Sequence, residues 1–232
     1  MNIIPFFTMY FFVYKTITST CDSDLVLFKT LSSLCFLVCA LLSYTKCKIN
    51  KKYSLIIIVG LFFGLMGDVF LAPPYTETRF TIGTSSFAIG HIFFATAFLT
   101  LTSIKFKDFI LTGIISSCII FFITHNSNFN LGSRFPIVFV YCIIISFMFS
   151  KSLGIFKFKN VNRSFCYLTT LGAFLFLISD IVLTFKLFTP NPSHYFGIIN
   201  LTLYYSAQGL IALSLSNTDL SSSKTSYCTS NN

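Results

Sequence analysis

The sequence predicts an all-α, polytopic membrane protein, a bundle of eight transmembrane helices, and three observations carry that prediction. Of 232 residues, 54% are apolar and only 10% are charged, with a mean hydropathy of +0.80. A soluble domain covers itself with about 25% charged residues, so a soluble enzyme, a disordered chain and a nucleic-acid binder are all excluded. Long apolar runs alternate with short polar or Pro/Gly breaks along the chain. If one crossing takes roughly 20 residues, eight take about 160 and leave about 70 for loops and tails. Finally, the cations gather in every second break, the pattern that orients helices across a bilayer.

Taken in order, the runs predict helices at 3–18, 25–45, 54–72, 80–103, 109–124, 135–150, 166–187 and 195–216. The first is short, with Pro5 near its start and Lys15 near its end. It lacks a charged leader and a small-residue cleavage site, so it reads as part of the mature protein. The third carries Gly60, Gly64 and Asp68 at i, i+4 and i+8, a small-residue stripe with an acid at its end. Gly83 and Gly90 thin one side of the fourth, next to His91. The seventh holds Asp180, and the eighth repeats Asn200, Tyr204 and Gln208 on one polar face. Residues 1–216 form one helical domain in this reading, and 217–232, rich in Ser, Thr and Asn, a disordered tail.

Charge sets the orientation. The breaks after the second, fourth and sixth helices hold Lys46, Lys48, Lys51, Lys52, Lys105, Lys107, Lys151, Lys157, Lys159 and Arg163. The opposite breaks hold Arg79, Arg134 and Lys186. Ten cations against three place both termini on the cytoplasmic side, and a eukaryotic chain of this kind is expected in the endoplasmic reticulum. Of the eight cysteines, Cys35, Cys39, Cys118, Cys142 and Cys166 fall in or beside apolar runs, and no C-x-x-C pair occurs. Buried thiols acting as small apolar groups fit better than a disulfide framework. Cys47, between Lys46 and Lys48, is a palmitoylation candidate.

Only two acids lie inside apolar runs, Asp68 in GLFFGLMGDVFL and Asp180 in GAFLFLISDIVL. An acid at mid-helix costs about 2.5–3.5 kcal/mol to insert, so each must face the bundle interior and find partners. The other acids read as solvated loop or tail charges. At 1.5 Å of rise per residue, Asp68 lies about 6 Å inside its helix end and Asp180 about 9 Å short of Lys186. Lys29 enters about 6 Å from the same side, while His91 and Tyr204 lie at about 16 and 14 Å. Two carboxylates and a cation thus share one half of the bilayer, above an imidazole and a phenol.

GLMGDVFL (64–71), FxxGxxxFAIGH (80–91), GAFLFLISD (172–180) and NLTLYYSAQGLI (200–211) resemble the lysoplasmalogenase family, the YhhN-like or transmembrane-protein-86 integral membrane hydrolases. The likeness runs in order from Lys29 to Ile211, with two departures. Thr30 follows Lys29 where the family usually has Pro, and Phe94 stands where it often has Tyr. The resemblance implies an eight-helix fold and hydrolysis of the vinyl ether bond of lysoplasmalogens to a fatty aldehyde and glycerophosphoethanolamine or glycerophosphocholine. It matches Asp68 and Asp180 to the family's essential acids and implies neither metal nor organic cofactor. The partners expected are a lysophospholipid and the bilayer, with no nucleic acid and no assigned oligomeric state.

The residues suit that chemistry. Protonation at the carbon β to oxygen turns a vinyl ether into an oxocarbenium ion, which water then captures. One carboxylic acid must hold its proton and one carboxylate must face the developing cation, as in glycosidases. Asp68 and Asp180 are the expected pair. His91, Tyr204, Gln208 and Asn200 are placed to orient them, hold water or bind the glycerol hydroxyl, and Lys29 or Arg79 to meet the phosphate. Three other readings use the same residues: a proton- or cation-coupled transporter, a zinc-dependent lipid hydrolase built on Asp68, His91 and Asp180, and a lipid-binding scaffold. No inverted repeat supports the first.

Overall fold

The computed structural model describes residues 3–45, 51–126, 129, 131–158 and 162–217. Lys46, Cys47, Lys48, Lys159 and the tail beyond Asn217 lie outside the described residues, and with them the palmitoylation candidate and nearly all of the expected disordered segment. The chain forms α1 (Ile3–Thr18), α2 (Asp22–Tyr44), α3 (Lys51–Phe70), α4 (Glu77–Leu99), α5 (Phe106–His125), α6 (Phe135–Gly154), α7 (Arg163–Phe188) and α8 (His194–Ser214), with single 3₁₀ turns beside α6 and after α8. No strand occurs among the described residues.

Local chemistry sets the ends. Pro73–Pro74 cannot continue α3, because proline lacks the N–H that the ladder needs. Thr76 then caps α4, its hydroxyl accepting from the Arg79 amide at 3.2 Å. Asn162 does the same for α7, accepting from Ser164 at 3.1 Å. Asp108 reaches back to the Lys105 amide at 2.9 Å to start α5.

Lys151 corrects one sequence expectation. It is no loop cation: α6 runs on to Gly154, leaving Lys151 inside the helix with a side chain only 1% exposed. Its ammonium donates to Asp108 Oδ2 at 2.7 Å and to the Ser103 carbonyl at 2.8 Å. Asp108 is accordingly no solvated loop acid but the counter-ion that ties α5 to α6. A charge so buried persists only when paired in this way.

Seven helices, α2 to α8, are long and apolar enough to cross a membrane. α1, with 16 residues, spans about 24 Å against a hydrocarbon core of about 30 Å. It is nevertheless packed into the bundle: Met9 is fully buried, and Tyr10 shares a hydrogen bond of 2.7 Å with Ser206 of α8. The chain is an all-helical, multi-pass membrane protein. Successive helices pack as hairpins, α1 with α2, α3 with α4, α5 with α6 and α7 with α8, while α4 also meets α6 and α2 meets α8. α5 is peripheral and buries only Thr112, Ser116 and Ile123. Exposed Phe7, Ile114, Phe121 and Tyr167 belong to the outward face, where lipid replaces water.

α3 and α4 approach through glycine. A Cβ on Gly90 would stand 3.0 Å from the Gly60 carbonyl, and one on Gly60 would stand 2.6 Å from the Phe94 ring. Close backbone approach of this kind replaces the hydrophobic drive that lipid removes. Gly90→Val is expected to lower stability by about 1–3 kcal/mol, the usual cost of overpacking. Gly113→Ala, which meets nothing within 4 Å, is expected to leave it unchanged. Thermal unfolding of the detergent-purified protein reads both, and equal midpoints for the two variants would contradict the close approach.

Candidate active site

Asp68 sits in the last turn of α3 with its side chain 2% exposed. Two other helices supply its partners. From α2, Ser33 donates to Oδ2 at 2.6 Å and the Lys29 ammonium lies 3.3 Å from Oδ1. From α8, the Tyr204 hydroxyl donates to Oδ2 at 2.7 Å. Gln208, one turn further along, donates to the Tyr204 oxygen at 2.9 Å. Gly64 makes room for that amide, since a Cβ there would collide with Gln208 Nε2. Lys29 and Ser33 are one helical turn apart, so one face of α2 delivers both a cation and a hydroxyl.

Asp180 on α7 is less enclosed, 14% exposed. Tyr141 of α6 donates to its Oδ2 at 2.5 Å. His91 of α4 lies 2.8 Å from the Tyr141 oxygen through Nε2 and 3.6 Å from Asp180 Oδ2. Among the described residues, His91 Nδ1 is buried without a partner. With Tyr141 donating to the carboxylate, its oxygen accepts from His91 Nε2–H. If Asp180 carries the proton instead, every bond reverses and Tyr141 donates to the imidazole. The three groups therefore form a chain that can run either way. Phe176 packs between the two clusters, its ring centroid 5.1 Å from that of His91 and 5.7 Å from that of Tyr204.

Both carboxylates open on one cavity of about 650 Å³, at the end of the bundle where α3, α7 and α1 finish and α2, α4 and α8 begin. Of the residues singled out in the sequence, Asp68, Asp180, Lys29, Arg79, Asn200 and Tyr204 line it. His91 and Gln208 stand behind, reaching the acids through a tyrosine. Asn200 is engaged with α7, donating to the Ser179 carbonyl at 2.9 Å. Arg79 donates to the Val69 and Ala72 carbonyls at 2.6 and 3.2 Å, satisfying acceptors that the end of α3 leaves open. A narrower apolar cleft leads off behind Asp180 and shares Leu71, Phe80 and Phe87 with the main cavity.

Sequence reading passed over Tyr141, Ser33 and Tyr205. Tyr141 is the one phenol in the predicted sixth helix, and that lone phenol was the available signal. Tyr205 donates to the Lys29 carbonyl at 2.9 Å, a long-range contact without a local signature. Among the described residues no group of three His, Cys, Asp or Glu side chains gathers as metal ligands would. The zinc arrangement of Asp68, His91 and Asp180 is therefore not formed. Cys142 and Cys166 are buried free thiols, as expected, and Cys39 is buried too, whereas Cys118 faces outward.

Fold and site together define a multi-pass helical membrane protein with two carboxylates facing one interior cavity. Residues 25–215 match the YhhN family, and the chain belongs to that family. It is 28% identical over 216 residues to the lysoplasmalogenase TMEM86A of Bos taurus, an alignment covering 92% of this chain and 88% of that protein. To the lysoplasmalogenase TMEM86A of Homo sapiens it is 28% identical over 159 residues, 68% of this chain and 64% of that one. No solved structure matches it.

The Lys29–Asp68 pair yields a stability prediction. Removing one partner of a buried pair costs about 3–5 kcal/mol, because the other charge is left uncompensated. Lys29→Met is thus expected to destabilise the protein more than the double variant Lys29→Met with Asp68→Asn. Thermal unfolding of both variants tests it, and a double variant no more stable than Lys29→Met would refute the pairing.

Proposed function

We propose that the protein hydrolyses the vinyl ether bond of lysoplasmalogens, releasing a fatty aldehyde and a glycerophospho-base such as glycerophosphoethanolamine or glycerophosphocholine. One observation carries the proposal: two intramembrane acids with unlike partners face a single lipid-sized cavity. Family membership and the names of the two relatives support it.

The unlike partners divide the roles. Burial works against a charge on Asp68, and an ammonium at 3.3 Å and two hydroxyl donors work to offset it. Asp68 serves as the carboxylate. Among the described residues, Asp180 pairs with no Lys or Arg, only with Tyr141 and, behind it, His91. It serves as the acid. The Asp180 proton goes to the carbon β to the ether oxygen, leaving an oxocarbenium ion that Asp68 stabilises across the cavity. Water adds to the cationic carbon and gives its proton to Asp68. The hemiacetal then breaks at the carbon–glycerol oxygen bond. Its hydroxyl proton returns to Asp180 and the proton on Asp68 passes to the departing oxygen, so both acids end as they began. Tyr141 and His91 steady the proton on Asp180, and Tyr204, Gln208 and Ser33 fix the Asp68 carboxylate. The alkenyl chain lies in the apolar cleft past Phe80 and Phe87.

In the bilayer, α1 completes eight crossings with both termini on the cytoplasmic side, and the cavity opens toward the opposite leaflet. A eukaryotic chain would reside in the endoplasmic reticulum.

Release of aldehyde from a lysoplasmenyl lipid by the purified protein tests the reaction. The wild type is expected to release it, and Asp68→Asn and Asp180→Asn are each expected to lower the rate by at least about 10²-fold while remaining folded, the scale on which a positioned acid or base acts. Wild-type turnover in both variants would refute the mechanism. Activity on lysoacyl lipid alone would redefine the protein as an esterase.

A further inference from the structure

Four cations and three acids line the cavity, and three of the cations are engaged. Lys29 faces Asp68, Arg134 forks onto Glu77, and Arg79 holds the carbonyls at the end of α3. Lys186 is different. It makes no hydrogen bond and no ion pair among the described residues. An uncompensated ammonium at the edge of a membrane-embedded cavity is costly.

Its position is well defined. Lys186 lies in the last turn of α7, half-buried, with Cε and Nζ each 3.8 Å from where a Cβ on Gly197 would stand. The ammonium therefore rests over the first turn of α8. Ser193, the residue preceding that turn, makes no side-chain capping bond, so the turn keeps leading N–H groups for a ligand. Lys186 and the start of α8 thus border a part of the cavity where no acid among the described residues pairs with the ammonium.

We propose that Lys186, with the open first turn of α8, forms a phosphate subsite that holds the phosphodiester of a single-chain glycerophospholipid. The choice of lipid rests on the function proposed above. Asp180 is six residues before Lys186 on the same helix, about 9 Å along its axis. A glycerol backbone bridges that separation, placing the ether oxygen at the acids and the phosphate at Lys186. Lys29, a phosphate candidate from sequence, is then free to serve Asp68.

Binding to the purified full-length protein tests the subsite without turnover, using a saturated 1-O-alkyl lysophosphocholine that cannot be cleaved, the corresponding 1-O-alkylglycerol that lacks phosphate, and inorganic phosphate. Lys186→Gln is expected to weaken the phospholipid about tenfold, the scale of one charge-assisted contact, and to leave the alkylglycerol unchanged. Lys186→Arg is expected to retain the difference between the two ligands. Displacement of the lipid by millimolar inorganic phosphate in the wild type but not in Lys186→Gln would show that free phosphate shares the site. Discrimination between the lipids without such displacement would restrict it to the headgroup. An equal loss for both lipids in Lys186→Gln, or no loss for either, would overturn the subsite. A wild type that binds as expected but releases no aldehyde would instead overturn the reaction and leave the subsite standing.

Discussion

The burial of the Asp68 carboxylate is the constraint on which the site depends. An acid 2% exposed inside a membrane protein is tolerated only with partners held at bonding distance. Those partners come from two other helices: Lys29 and Ser33 from α2, Tyr204 from α8. Satisfying one acid therefore fixes the relative position of three helices. Gly64, where a side chain would strike Gln208, shows the backbone of α3 adapted to the same network.

The second acid is built on another plan. Asp180 belongs to α7 but is reached by α6 through Tyr141, and Tyr141 by α4 through His91. The two clusters touch through Phe176 rather than through polar groups. An aromatic partition keeps the carboxylates from sharing hydrogen bonds while both face the same cavity. That separation suits a pair meant to differ in charge, because direct contact would couple their protons.

Much of this was legible in the sequence, and the rest was not for definable reasons. Helix positions followed from apolar run length: the observed ends lie within four residues of the expected ones, the largest shifts being position 103 against Leu99 and 150 against Gly154. Asp68 and Asp180 stood out because an acid is rare in an apolar run. The polar face of α8 was visible from its spacing, but not that Tyr204 and Gln208 turn to α3 while Asn200 turns to α7. Spacing gives a face, and only packing gives the neighbour. Lys151 was misread because a cation near a helix end resembles a loop charge until its counter-ion Asp108, 43 residues earlier, is seen beside it. Tyr141 was passed over because a hydroxyl among phenylalanines alters hydropathy too little to register.

The proposed chemistry requires the two acids to differ in protonation in the resting protein. Infrared difference spectroscopy of the carboxyl C=O stretch near neutral pH reads this without any substrate. One protonated-carboxyl band is expected in the wild type, lost in Asp180→Asn and retained in Asp68→Asn. A band that disappears with Asp68 and persists without Asp180, or a wild type with no such band, would contradict the division of roles.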